Sequence, residues 1–179
     1  MKTGAYLTKW AVTSMLLILG LVSVVFAAGD QKYVGVKKCK NCHEAKNKGD
    51  QYSKWAEMKH SKAFETLASD KAKEIAQKQG IADPQTSDKC LKCHETAYGE
   101  PDSVKDKKFE HSQGVQCEAC HGPASNHVKV RLAEAAEEED EDDLFGEGGD
   151  EERKTLPAGE VNAKPDEATC KKCHNDESP

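Results

Sequence analysis

Apolar residues crowd one end of this chain and are thinly scattered over the rest. Residues 11–26 (AVTSMLLILGLVSVVF) form a largely apolar run behind the short basic segment 1–10, and Ala27, Ala28 and Gly29 follow it. Basic, then apolar, then small is the layout of a secretory signal, predicted over residues 1–28 with cleavage after Ala27 or Ala28. The sixteen residues of the run fall short of the about 20 that a bilayer span needs, which favours cleavage over an uncut anchor. No Cys lies near the cleavage site, so a lipoprotein is not expected, and the remaining body, residues 29–179, holds no second run of that length. Inside that body the apolar positions recur at helical period. Gln51–Leu67 lacks Gly and Pro and sets Ala56, His60, Ala63 or Phe64, and Leu67 on one face. Ser69–Gln79 predicts a second helix, with Ser or Asp at its start, Gly80 just past its end and a loop at Asp83-Pro84. A further helix is expected from a Ser125 cap through His127, after the Gly122-Pro123 break. Strand-like alternation is nearly absent, so the expected fold is mostly α, with long loops and few or no strands.

Composition changes that picture by showing how little there is to bury. Aromatic residues make up 6% of the 179 positions, too few for a conventional oily core, and the length favours one domain over 29–179. The formal charge of −6 is unevenly spread. Residues 1–28 carry Lys2 and Lys9 and no acid, so the body without them stands at −8. Residues 134–152 hold twelve Asp or Glu and no Lys or Arg; without them the body has 24 basic and 20 acidic residues, a charge of +4. A mildly basic body thus carries one acidic insert, which is too charged to pack and is expected to be mostly disordered or loosely helical, a solvated surface segment. No dense basic block appears anywhere, which argues against a nucleic-acid partner.

The candidate chemistry lies in the cysteines. All eight fall into C-x-x-C-H: Cys39-Lys40-Asn41-Cys42-His43, Cys90-Leu91-Lys92-Cys93-His94, Cys117-Glu118-Ala119-Cys120-His121 and Cys170-Lys171-Lys172-Cys173-His174. Four disulfides in an exported chain, paired zinc knuckles and c-type haem attachment are the competing readings. The residue after each pair discriminates between them. Chance would put His behind all four pairs on the order of a few times in a million, and neither disulfides nor zinc ribbons need it there, whereas haem attachment does. The four motifs therefore predict four covalently bound haem c groups, held by Cys39, Cys42, Cys90, Cys93, Cys117, Cys120, Cys170 and Cys173, with His43, His94, His121 and His174 as proximal ligands to iron. Export agrees with that reading. Porphyrin faces would replace the missing core, and the apoprotein is expected to be largely unfolded. The motif starts are separated by 51, 27 and 53 residues, so the second and third motifs are expected to form a compact haem pair.

Three histidines remain as distal candidates: His60, His127 and His111. His60 lies on the apolar face of the predicted helix 51–67, His127 near the start of its own helix, and His111 in a loop-like stretch where a surface role competes with ligation. Three cannot complete four irons. At least one iron must be five-coordinate, take Met58 or a Lys, or take a ligand from another subunit.

The segments CKNCHEAKNKGDQYSKWAEMKHSKAFETL, CLKCHETAYG, GVQCEACHGPASNH and CKKCHNDESP resemble the cytochrome c-554 family of tetrahaem cytochromes. The resemblance covers nearly all of residues 33–179 apart from the acidic insert, and CEACHGP and W-x4-H-x2-A are its most specific parts. It implies a mostly helical multihaem cytochrome c, with loops wrapped around closely stacked haems, passing electrons between redox partners in the periplasm or outside the cell. A membrane quinol-linked cytochrome or a multihaem oxidoreductase would be such a partner. It also implies ligand pairs: His60 with proximal His121, and His127 with proximal His43. The family's His close before the last motif is absent here, since Thr155–Thr169 holds none. His111 would then serve His94 or His174. An enzyme reducing a small nitrogen oxide at an open haem, and a subunit of an extracellular haem filament, are the alternatives to a simple carrier.

Overall fold

The computed structural model describes residues 31–139 and 161–178. Among them are eight α-helices: α1 (Val36–His43), α2 (Gln51–Glu57), α3 (Ala63–Thr66), α4 (Asp70–Lys78), α5 (Asp88–His94), α6 (Cys117–His121), α7 (Ser125–Glu139) and α8 (Glu167–Lys171). Short 3-10 turns at Lys46–Lys48, Lys59–Lys62, Asp102–Val104 and His111–Gln113 join them. No strand occurs among the described residues; a single parallel bridge joins Tyr33 and Lys105. The protein is mostly helical, as a multihaem cytochrome c would be. The predicted signal 1–28 lies outside the described residues. The insert 134–152 enters them only at its start, where residues 134–139 are the last turns of α7. No helix among the described residues is long and apolar enough to cross a membrane.

The helix α4 forms where its capping signals stand. The Ser69 hydroxyl accepts from the Ala72 N–H at 3.2 Å, Asp70 lies in the first turn and Lys78 in the last. Gly80, at φ 68°, ends it in the left-handed region. Other expectations fail for tertiary reasons. The unbroken helix over 51–67 is interrupted at Met58, whose backbone is extended (φ −74°, ψ 156°), and it resumes as a 3-10 turn and then α3. The Ser61 hydroxyl donates to the carbonyls of Ala56 (2.9 Å) and Met58 (2.8 Å), capping the broken end. Past the break, the His60 carbonyl accepts from the Val115 N–H at 3.0 Å instead of serving a continuing helix. Ser125 does not cap α7 from outside; it sits within the helix, and its hydroxyl accepts from the Lys32 N–H at 2.9 Å.

The core is as thin as the composition requires. Its buried apolar side chains are Val34, Val36, Leu67, Ala76, Leu91, Phe109 and Ala124, joined by buried Thr96, Gln116 and Glu118. Those three polar residues form the hub that sets the motif helices in place. The Glu118 carboxylate, 3% exposed, accepts from the N–H groups of Val34 (2.9 Å), Gly35 (2.8 Å) and Ala124 (2.9 Å). The Gln116 side chain accepts from Val36 N–H at 2.7 Å and donates to the Glu110 carbonyl at 3.0 Å. The Thr96 hydroxyl accepts from Gln116 N–H at 2.7 Å and donates to the Gly114 carbonyl at 3.0 Å. Burying such groups is tolerable because each finds partners. The hub thereby joins the chain entering α1, the chain leaving α5 and the start of α6.

Candidate functional site

Each motif is wound onto a helical turn. The first lies wholly in α1, the second in α5, the third is α6 itself, and the fourth begins in α8 and ends in the turn closed by His174 N–H donating to the Cys170 carbonyl at 2.9 Å. At helical pitch, positions i, i+3 and i+4 share a face, so each turn presents two thiols and one imidazole to the same side. All eight thiols are free, and each cysteine is half-buried or exposed. Among the described residues no three or more His, Cys, Asp or Glu side chains converge as a metal-ion site would need. The disulfide and zinc readings therefore find no matching geometry.

The thiols do meet between motifs. Cys39 is in hydrogen-bonding contact with Cys117; that contact and then burial push the Cys39 thiol up, while the same contact holds the Cys117 thiol down against the raising effect of burial. Burial, with Cys93 close by, pushes Cys173 up to about 11. Burial and the neighbouring Cys170 raise Cys120. The first motif thus abuts the third, as α1 packs on α6, and the second abuts the fourth. The second and third motifs, closest in sequence, are joined as well, through the bonds of Thr96 to Gly114 and Gln116. The Glu118 and Gln116 bonds hold the start of α1 on α6, and an ion pair of Lys92 with Glu177 at 2.5 Å joins the C-terminal turn to α5.

The motif imidazoles are oriented through Nδ1. His94 Nδ1 lies 2.7 Å from the Ala63 carbonyl and His121 Nδ1 2.5 Å from the Asn162 carbonyl, while Asn162 N–H returns a bond to the His121 carbonyl at 2.8 Å. A carbonyl only accepts, so Nδ1 carries the proton and Nε2 keeps its lone pair for a ligand. His43 Nδ1 approaches Gln51 Oε1 at 3.4 Å, the Gln51 amide being fixed by donation to the Lys48 carbonyl at 2.7 Å. His111 Nδ1 is held by the Glu95 carboxylate, whose side chain is 8% exposed against 48% for the imidazole. This is the outer-shell pattern of metal-ligating histidines. Sequence reasoning missed these partners because two are backbone carbonyls and the other two, Gln51 and Glu95, are side chains with no motif to mark them.

Two further histidines stand opposite motif histidines. The rings of His43 and His127 are stacked with centroids 6.1 Å apart and planes 23° apart. The rings of His60 and His174 are edge-on at 6.0 Å and 72°. Two imidazoles that share one metal, each through a bond of about 2 Å, leave their centroids about 6 Å apart. Both pairs stand at a separation that two imidazoles on one iron would have, and the thiols on the same turns would hold a porphyrin edge. The ring opposite His60 is thus His174, where the resemblance implied His121. Neither His94 nor His121 forms such a ring pair among the described residues; His111 packs edge-on to Phe109, with centroids at 5.4 Å.

Comparison with known proteins gives this geometry a family. Residues 38–122 match the family of cytochrome c554 and c-prime, a stretch that takes in the first three motifs together with His60 and His111. This part of the chain is similar to that family. Cytochrome c-554 of Nitrosomonas europaea is a distant homologue, 36% identical over 103 residues. The match covers 55% of this chain and 42% of that relative's length. No solved structure matches the chain. That likeness implies covalent c-type haem, and the residues present fit it: paired thiols on single helical turns, Nδ1-anchored imidazoles and two imidazole pairs about 6 Å apart.

Proposed function

We propose that this chain is an electron-transfer protein that works outside the cytoplasm and carries four covalently attached haem c groups. The observation that carries the proposal is the pairing of His43 with His127 at 6.1 Å, which brings a second imidazole to a C-x-x-C-H turn at the spacing of two ligands on one iron. When bound, haem supplies a one-electron couple whose potential is set by its axial ligands, and Met ligation raises that potential. The chain supplies attachment and orientation. Cysteine pairs fix each macrocycle edge, while the Ala63 and Asn162 carbonyls hold the rings of His94 and His121 in register. Contact between the thiols of the first and third motifs, and of the second and fourth, supports close packing of the four sites, as an electron carrier requires. The signal-like layout of residues 1–28 supports export to the periplasm or beyond. Partners are redox proteins, such as a membrane quinol-linked cytochrome or a multihaem oxidoreductase, and they meet a body whose charge outside the acidic insert is +4 before haem is counted.

A potentiometric titration followed by haem absorbance tests this reading. Reversible one-electron steps at potentials below those of Met-ligated cytochromes are expected. Absence of reversible redox change, or strongly positive potentials for every haem, contradicts it.

A further inference from the structure

We infer that Gln51 sets the redox potential of the first haem, through the hydrogen bond that its side-chain carbonyl accepts from His43. The inference rests on the haem reading above and deepens it, by naming a residue that tunes one of the four sites. Three observations converge on it. The first is that His43 is anchored by a side chain. His94 and His121 donate through Nδ1 to the backbone carbonyls of Ala63 and Asn162, at 2.7 and 2.5 Å. His43 instead has Gln51 Oε1 at 3.4 Å. A backbone acceptor stands whatever residue carries it, whereas a side-chain acceptor changes with the sequence. The first motif is thus the place where one substitution can strengthen, weaken or remove the bond behind a motif imidazole.

The second is that the Gln51 amide is held one way round. Its Nε2 donates to the Lys48 carbonyl at 2.7 Å, which leaves Oε1 for His43. An oxygen acceptor there requires the proton on His43 Nδ1 and frees the Nε2 lone pair for a ligand bond.

The third is that the turn before α2 is shaped to that amide. Gly49 at φ 98° and Asp50 at φ 53° are successive left-handed residues, a conformation that Asp tolerates better than most side chains. A Cβ on Gly49 would stand 2.7 Å from Gln51 Nε2 and 3.3 Å from the amide carbon. The Lys54 ammonium donates to the Gly49 carbonyl at 2.8 Å, and the Asp50 N–H donates to the Ala45 carbonyl at 3.2 Å. Strained backbone persists only where its surroundings hold it, and here it seats the group that faces His43. The direction of the effect follows from the bond. Donation from Nδ1–H makes an imidazole a stronger donor to iron and favours the ferric state. A better acceptor therefore lowers the potential, and loss of the acceptor raises it.

Spectroelectrochemical titration of the full holoprotein, with the haem number of each variant fixed by intact mass, tests the role of Gln51. Gln51→Leu removes the acceptor without changing charge. It should move one haem component to higher potential and leave the other three in place. Gln51→Glu offers a carboxylate, a stronger acceptor, and should move that component to lower potential. The ferric EPR g values of the same haem should shift with it, which a charge acting through space alone would not cause. Gly49→Ala keeps Gln51 but fills the seat of its amide, so it should raise the same component. The Q51L/G49A protein should then show no more than the Q51L shift. No movement in Q51L, shifts of one sign in Q51L and Q51E, unchanged g values in Q51E, or a G49A shift that adds in full to that of Q51L would each overturn the inference. A haem lost from Q51L would mark Gln51 as a structural prop and overturn it as well. Fewer than four haems in the unsubstituted protein, or no reversible reduction of them, would instead refute the haem reading, which keeps the two failures distinct.

Discussion

Glu118 shows how a single side chain can position chemistry that it does not touch. It is one of the two variable residues of the third motif, yet it is buried and collects the N–H groups of Val34, Gly35 and Ala124. Burial pushes its carboxyl up, against the lowering effect of those three donors. A carboxyl raised in the folded state binds its proton more tightly there than in the unfolded chain. Its contribution is therefore fully present below the unfolded pKa and lost as pH rises through the folded one. Glu118→Gln keeps the size but replaces one acceptor oxygen by a donor, leaving a buried N–H unpaired, at a cost of about 1–3 kcal/mol. Chemical denaturation of the holoprotein should show that loss near the ordinary carboxylate range. The gap to the unsubstituted protein should narrow as pH rises; a gap that widens would contradict the raised pKa. Nothing in the sequence marks Glu118 as buried, because a charged residue between motif cysteines reads as solvent-facing. The motif residues themselves were fully legible, since C-x-x-C-H carries its own chemistry.

At the scale of elements, propensity decided little. The Ser69-capped helix α4 appears where its local signals stand, because nothing else competes for its backbone. The segment 51–67 has equally good helical period and still breaks at Met58, and past the break Val115 and His94 bond the carbonyls of His60 and Ala63. Those partners lie 55 and 31 residues away in sequence, beyond the reach of any periodic pattern. The seat for that break is Gly114, at φ 68°, where a Cβ would stand 2.7 Å from the His60 carbonyl oxygen. Gly114→Ala should displace the His60 turn, costing about 1–3 kcal/mol through backbone strain at a positive φ. It should also weaken low-spin character at the haem that His60 serves. Retention of both stability and spin state would show that the turn is not seated as described.

The whole molecule is organised around contacts between motifs rather than around an apolar centre. The first motif meets the third and the second meets the fourth, so the two halves of the chain interleave. Composition made the thin core legible, and the motif count made its replacement legible, since eight thiols and four imidazoles are set to hold four large apolar macrocycles. The interleaving was not legible, because it is made by a buried carboxylate and amide and by one ion pair whose partners are remote in sequence. The account stands on the number of macrocycles this small body holds. Intact mass of the purified full-length protein, taken under denaturing conditions that release anything not covalently bound, measures that number directly. The account predicts the polypeptide mass plus four haems. A mass that accommodates fewer than four would contradict it.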